Sequence, residues 1–252
     1  INLETQDAKP SANENFQINK NTITYKKTKS VSSNALNTLK VPYGKTFNIH
    51  LSDGTNVHLN SGTSITYPVV FDEGNNREVF VSGEAFFDVK KNNSSRFIVN
   101  SNLSSAVVYG TKFNFKDYPE DYFSEIILTE GSLGVRKIEN SEKDKLVIIK
   151  PGERAKVSYD TPNIKKSRVN TNIYTSWIDG RVVFRNENLE NMIRKLERIY
   201  NVIIINNNTE IKERFFSATI LSEKETISEV LFYLKKVYGL NYQIINNKII
   251  IE

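Results

Sequence analysis

The chain has no cysteine. That absence excludes disulfides, a thiolate nucleophile, iron–sulfur clusters and thiolate zinc sites, and it leaves the compartment open, an extracytoplasmic address included. Histidine is nearly as scarce, with His50 and His58 in one short stretch as the only two. A Ser–His–Asp relay therefore has no base elsewhere in the chain, and no Gly-x-Ser-x-Gly elbow occurs. No phosphate-cradling glycine loop opens a helix. No run of about 18 apolar residues is present, and the first residue is Ile1 rather than an initiator methionine. The expectation is a soluble piece of a longer or processed protein, with any targeting or membrane segment outside it.

What is present is ordinary globular composition: 252 residues, 38% hydrophobic, 25% charged and 11% aromatic. That length suits one large or two ordinary domains. The net charge of +5 raises the question of nucleic acid, but the basic residues cluster only at Lys26–Lys29 and Lys165–Arg168. Both stretches read as loops or linkers without aromatics interleaved on a helix, so no nucleic-acid partner is expected.

Residues 1–38 are rich in Asn, Ser, Thr and Lys and read as a tether, with one short β-like run at Thr22–Tyr25. From Lys40 to about Ser158, short alternating apolar runs are separated by Gly, Asn, Asp and Pro, the texture of an all-β domain. Strands are expected at 79–81, 85–89, 97–99, 106–109, 126–128, 146–149 and 155–157, with Asp53-Gly54, Gly83-Glu84, Gly110-Thr111 and Pro151-Gly152 as turns. Phe47, Ile49 and Leu51 alternate with polar residues, as do Val57 and Leu59. Pairing Leu51 with Val57 and Ile49 with Leu59 across a three-residue loop puts all of them on one face and sets His50 opposite His58. Two imidazoles could begin a metal site, but Asn48, Asn56 and Asn60 are poor ligands and no third histidine exists. Solvated histidines are the expectation.

After a loop at about 162–172 the period changes, and a repeat appears. Leu189, Met192, Ile193, Leu196, Tyr200, Val202 and Ile204 are matched at a constant offset of 38 by Ile227, Val230, Leu231, Leu234, Tyr238, Leu240 and Tyr242. The first five of each set form the stripe of an amphipathic helix, and the last two alternate as a strand does. With strand candidates at 181–184 and 215–220, each unit reads βαβ, and a strand at 248–251 closes the chain. Asn188 and Thr226 are placed to cap the helices, with Asn186 and Ser222 just upstream. The fold expected is therefore two-domain: an all-β domain over 39–170, then a small α/β domain over 171–252 with a βαβ-βαβ repeat and both helices on one sheet face.

The remaining catalytic candidates are carboxylate pairs, Glu84 with Asp88 and Asp72 with Glu73. Either could in principle serve acid–base hydrolysis of a glycoside, although surface carboxylates at even spacing on a strand are commonplace. Sugar sites usually stack on exposed rings, and the single tryptophan, Trp177, sits where the period changes and is expected to pack at the domain junction.

One set of motifs runs from residue 41 to residue 155: Val41-Pro42-Tyr43-Gly44, the stretch from Leu51 to Thr63, Tyr67-Pro68, Arg77-Glu78-Val79, Gly83-Glu84-Ala85-Phe86-Phe87-Asp88-Val89, Gly110 to Phe115, Glu130-Gly131-Ser132-Leu133 and Lys150 to Ala155. In that order and spacing they resemble the FecR family of anti-sigma factors. The second half, Trp177 to Asn186 with Leu196 to Val202, is similar to the small α/β domain that follows FecR in Bacteroidetes-type members, itself similar to the short N-terminal domain of secretins and TonB-dependent transducers. His58 stands where the family more often has Trp.

The resemblance implies a sensor relay rather than a reaction, with no catalytic residue, cofactor or metal. Its implied setting is the periplasmic region of a single-pass inner-membrane protein, with residues 1–38 as the juxtamembrane tether. The implied partners are the N-terminal signalling domain of a TonB-dependent outer-membrane transporter and, through a cytoplasmic segment outside this chain, an extracytoplasmic-function sigma factor. The rival reading is a periplasmic ligand- or carbohydrate-binding β module with no sigma-factor role.

Overall fold

The computed structural model describes residues 16–19, 22–25, 35–72, 74–138, 146–211 and 214–252. It is rich in β structure and separates into two compact units, residues 1–42 with 46–171, and residues 43–45 with 172–252.

The first unit is built of strands: β1 (Phe16–Asn19), β2 (Thr22–Tyr25), β3 (Leu36–Lys40), β4 (Phe47–His50), β5 (Asn56–Leu59), β6 (Ser64–Pro68), β7 (Arg77–Asp88), β8 (Phe97–Asn100), β9 (Ser104–Val108), β10 (Lys112–Asp117), β11 (Phe123–Glu130), β12 (Leu133–Lys137), β13 (Val147–Ile149), β14 (Glu153–Ser158) and β15 (Lys165–Arg168). They form two sheets that share β7. One runs β3-β6-β7-β8-β9-β12-β13, the other β1-β2-β4-β5-β7-β10-β11-β14-β15. Their inward residues form one core, from Leu39, Val81 and Val99 on the first sheet to Ile49, Phe87, Phe113 and Val157 on the second.

Gly83 makes the sharing possible. Residues 80–82 pair with β6, and residues 83–88 with β10. Side chains alternate inward and outward without interruption through Val79, Val81, Gly83, Ala85 and Phe87, so this is one bent strand and not two strands around a Gly83-Glu84 turn, as the glycine suggested. At φ +126°, and with a β-carbon there due to fall 2.6 Å from Thr63 Cα, the corner requires glycine.

Three further expectations change. The β4–β5 hairpin pairs Phe47 with Leu59 and Ile49 with Val57, two residues away from the expected register, although the inward face is the same. The three-residue loop sits one residue earlier than expected, closed by Leu51 N donating to Thr55 O (2.9 Å), because Asp53 organises it: its carboxylate accepts from Thr55 N (2.9 Å) and Thr55 Oγ1 (2.7 Å) and pairs with Arg77. The loop expected at 162–172 contains β15, which pairs with β14. Within the 1–38 tether, β2 lies parallel to β4 with Ile23 fully buried; the basic Lys26–Lys29 falls outside the described residues.

The second unit contains α1 (Thr171–Thr175), a 3-10 turn at Ser176–Asp179, β16 (Arg181–Asn188), α2 (Leu189–Tyr200), β17 (Ile203–Asn206), β18 (Phe215–Leu221), α3 (Ile227–Tyr238), β19 (Tyr242–Ile245) and β20 (Lys248–Ile251). All fourteen apolar positions of the sequence repeat belong to its core or pack against it. Asn188 accepts from Asn191 N, and Thr226 with Glu229 forms a capping box. The strands do not make the single expected sheet. β16 pairs with β18 antiparallel, while β17, β20 and β19 form a separate three-stranded sheet. The cause is that β17 pairs in parallel with the last strand, β20, rather than with its sequence neighbour β18.

Candidate functional site

The chemistry-bearing residues are occupied by the scaffold. Register sets His50 opposite Asn56, to which its Nδ1 is hydrogen-bonded, and His58 opposite Asn48. The His58 ring lies against Phe86 with centroids 6.2 Å apart. The two histidines are thus not cross-strand partners, and among the described residues no cluster of metal-ligating side chains forms.

Glu84 and Asp88 share the outer face of β7, but four residues of strand at about 3.3 Å each separate them by about 13 Å, more than the roughly 6.5–9.5 Å of an inverting glycosidase pair. Glu84 instead clamps neighbouring strands: its two oxygens accept from Asn60 Nδ2 (2.9 Å) and Asn114 Nδ2 (2.8 Å). Asp88 faces Lys112 at 3.4 Å on the surface. Asp72 is exposed, and Glu73 lies outside the described residues.

Buried charge has the same structural character. Arg77 reaches Asp53 (2.7 Å), Lys90 O (2.9 Å) and Ser95 O (3.0 Å), tying the β4–β5 loop and both ends of the β7–β8 loop to the start of β7. Lys116 pairs with Asp121 at 2.7 Å. Burial pushes the Asp117 carboxyl above the usual carboxylate range, opposed by hydrogen bonds from Ser101 and Leu103 N and reinforced by the charge of Asp121.

Two exposed features are candidate binding surfaces. On the first unit a groove of about 360 Å³ lies between Arg96, Val107, Tyr109, Leu146 and Ile148, and is floored by Gly134. A β-carbon at Gly134 would fall 2.8 Å from Leu146 Cδ2, so the glycine keeps it open for a small apolar group.

On the second unit, the face of the three-stranded sheet turned from its core carries Ile203, Ile205 and Ile245, all exposed, with Lys248 between Ile203 and Ile245 and Ile250 between Ile205 and Gln243. Its two edges differ. Glu197 on α2 accepts from Ile204 N at 2.8 Å, blunting β17. Along β19, hydrogen-bonded and non-bonded pairs alternate, and because Glu252 N donates to Asn241 O, the main-chain groups of Tyr242 and Ile244 face outward. No described strand pairs there. An extended segment of another chain can add at such an edge without special side chains. Sequence reasoning placed several of these residues on strands but gave none a binding role, because which strand ends at an edge depends on pairing between distant segments.

The comparisons agree with a scaffold of this kind. Residues 37–134 match the family model "FecR protein", and residues 181–251 match "FecR, C-terminal". Two crystal structures of a proposed anti-sigma factor from Parabacteroides distasonis ATCC 8503 each align with TM-score 0.77 and 27% sequence identity, over 86% of this chain and 98% of that one. No curated protein sequence matches. Carrying both FecR regions in order, with a structural counterpart over 86% of its length, the chain belongs to the FecR family of anti-sigma factors.

Proposed function

We propose that this chain is the periplasmic signal-receiving region of its anti-sigma factor, held at the inner membrane through its N-terminal end, and that it relays the state of a TonB-dependent outer-membrane transporter to an extracytoplasmic-function sigma factor. Regulation of a sigma factor follows from the family; the transporter, the compartment and the relay are the proposal. The observation that carries it is the free edge of β19 beside an apolar sheet face, surface suited to a protein partner. The polar residues that looked most like catalysts, Glu84 above all, are engaged in holding strands together.

The test is genetic and physical. Transcription from the sigma factor's promoters is measured with and without the transporter's ligand, in cells carrying the full-length gene or one lacking residues 181–252. The proposal expects the ligand response to vanish with the deletion, and expects the purified chain to bind the signalling domain of the transporter encoded nearby. An intact response without residues 181–252 overturns it. The rival ligand-binding reading rests on the groove at Gly134; it would be favoured by calorimetric heat with a small sugar or apolar ligand that is lost in Gly134→Leu.

A further inference from the structure

The internal repeat gives α3 a built-in reference. α2 and α3 are each twelve residues long, are capped at equivalent positions and turn the same apolar stripe to the core, so a difference between them off that stripe is not demanded by the shared packing; α2 also buries Arg198, whose counterpart Lys236 is exposed. The difference lies on the outer face. At the offset of 38, Arg194 is replaced by Phe232, Lys195 by Tyr233 and Ile199 by Val237.

In α2 these positions are satisfied locally: Arg194 donates to Glu190 (3.2 Å) and Asn191 (2.8 Å), and Lys195 to Glu187 (2.6 Å). In α3 their counterparts stand in solvent, with Phe232 49%, Tyr233 53% and Val237 71% exposed. At about 100° per residue, Phe232, Lys236, Tyr233 and Val237 occupy an arc of roughly 140° outside the buried stripe, with Val237 at its border. They form one patch, the Phe232 and Tyr233 rings meeting edge to face at 5.9 Å.

Charge says what the patch fits. Lys236 lies over the Phe232 ring at 5.5 Å and Lys235 over the Tyr242 ring at 6.0 Å, and among the described residues neither has a carboxylate within ion-pair distance. The nearest acid on the same face, Glu229, is engaged by the Thr226 cap. A basic-rimmed aromatic patch on a helix complements apolar side chains flanked by carboxylates.

We infer that the outer face of α3, centred on Phe232, Tyr233 and Val237 and rimmed by Lys235 and Lys236, docks an acidic amphipathic segment of the protein partner. The inference rests on the proposed function and adds a second contact to the β19 edge.

The experiment measures binding of the full chain to the purified signalling domain of the neighbouring transporter, using wild type, Phe232→Ser/Val237→Ser, Lys235→Glu/Lys236→Glu and, as the α2 control, Arg194→Ser. Thermal melts show that each variant folds. The expected result is loss of at least about thirtyfold in affinity for the apolar pair, about tenfold for the charge reversal with a flatter salt dependence, and none for Arg194→Ser. Because both lysines are exposed and lie outside the core, the charge reversal decides the matter if the apolar pair fails to fold. Wild-type binding that all variants share overturns the α3 inference and leaves the proposed function standing. No binding by wild type removes the proposed function first and this inference with it. Two other outcomes also overturn it by giving the patch a different occupant: self-association in sedimentation that Phe232→Ser/Val237→Ser abolishes, which assigns it to a second copy, and flotation with phosphatidylglycerol vesicles that the same variant abolishes, which assigns it to a lipid surface.

Discussion

Gly83 and Gly152 both hold positive φ, at +126° and +84°, but a β-carbon meets Thr63 backbone and side chain at 2.6 Å in the first and nothing within 4 Å in the second. Gly152→Ala should therefore cost only the left-handed penalty of about 1–2 kcal/mol, and Gly83→Ala about 3 kcal/mol or more from strain and overlap together, as read from chemical denaturation. Asp117 makes a different prediction. Burial raises its folded carboxyl above the unfolded value, so the native state holds that proton more tightly and loses stability as pH rises through the carboxylate range. Asp117→Asn keeps an acceptor for Leu103 N and removes the buried charge. It should melt higher than wild type at neutral pH, and the gap should close on acidification; a gap that widens at low pH contradicts this origin. Residue-scale features carried by near neighbours, such as the caps Asn188 and Thr226, were legible in the sequence. The clamp of Asp53 on Arg77 was not, since nothing local announces a partner so far along the chain.

At the scale of elements, the offset of 38 is the most informative pattern in the chain, and it makes Leu196 and Leu234 equivalent core residues, 2% and 4% exposed. Truncating either to alanine should cost about 2–5 kcal/mol. Of the lysines beside them, Lys195 pairs with Glu187 at 2.6 Å and lies near the Phe184 ring. Lys195→Ala should thus lower the melting point measurably, and Lys235→Ala hardly at all. The same repeat already contained the α3 surface: Arg194 and Lys195 set against Phe232 and Tyr233 could have been read as a polar face turned apolar. Inward faces of strands were legible from alternation alone. Register and sheet membership were not, because alternation fixes which face a side chain takes but not which residue lies opposite, and the β4–β5 hairpin moved by two residues without moving any side chain off its face.

For the molecule as a whole, the two cores are made of different residues, so destabilisation should be confined. In calorimetry Leu196→Ala should lower the transition of the second unit and leave the first in place; a shared shift would refute this separation. Residues 1–38 looked like a tether because their composition is polar, and one buried residue in a polar stretch leaves no periodic signal. Yet Ile23, on β2 beside Ile49 of β4, is buried at 0% exposure. A chain beginning at residue 35 should accordingly unfold at lower denaturant in its first unit, by about 1.5–3 kcal/mol for that one side chain, whereas a passive tether would cost nothing.

The bent strand β7 also governs how the first unit reaches its structure. Since residues 77–82 belong to one sheet and 83–88 to the other, neither sheet can close until both arms of one strand are placed, and the contacts that place them join β7 to β10 across more than twenty residues. Such non-local pairing makes folding slow, on the order of milliseconds to seconds, and leaves no assembled half to accumulate as an intermediate. Refolding of this unit should follow a single exponential, and substitutions flanking the elbow should slow that phase more than they hasten unfolding.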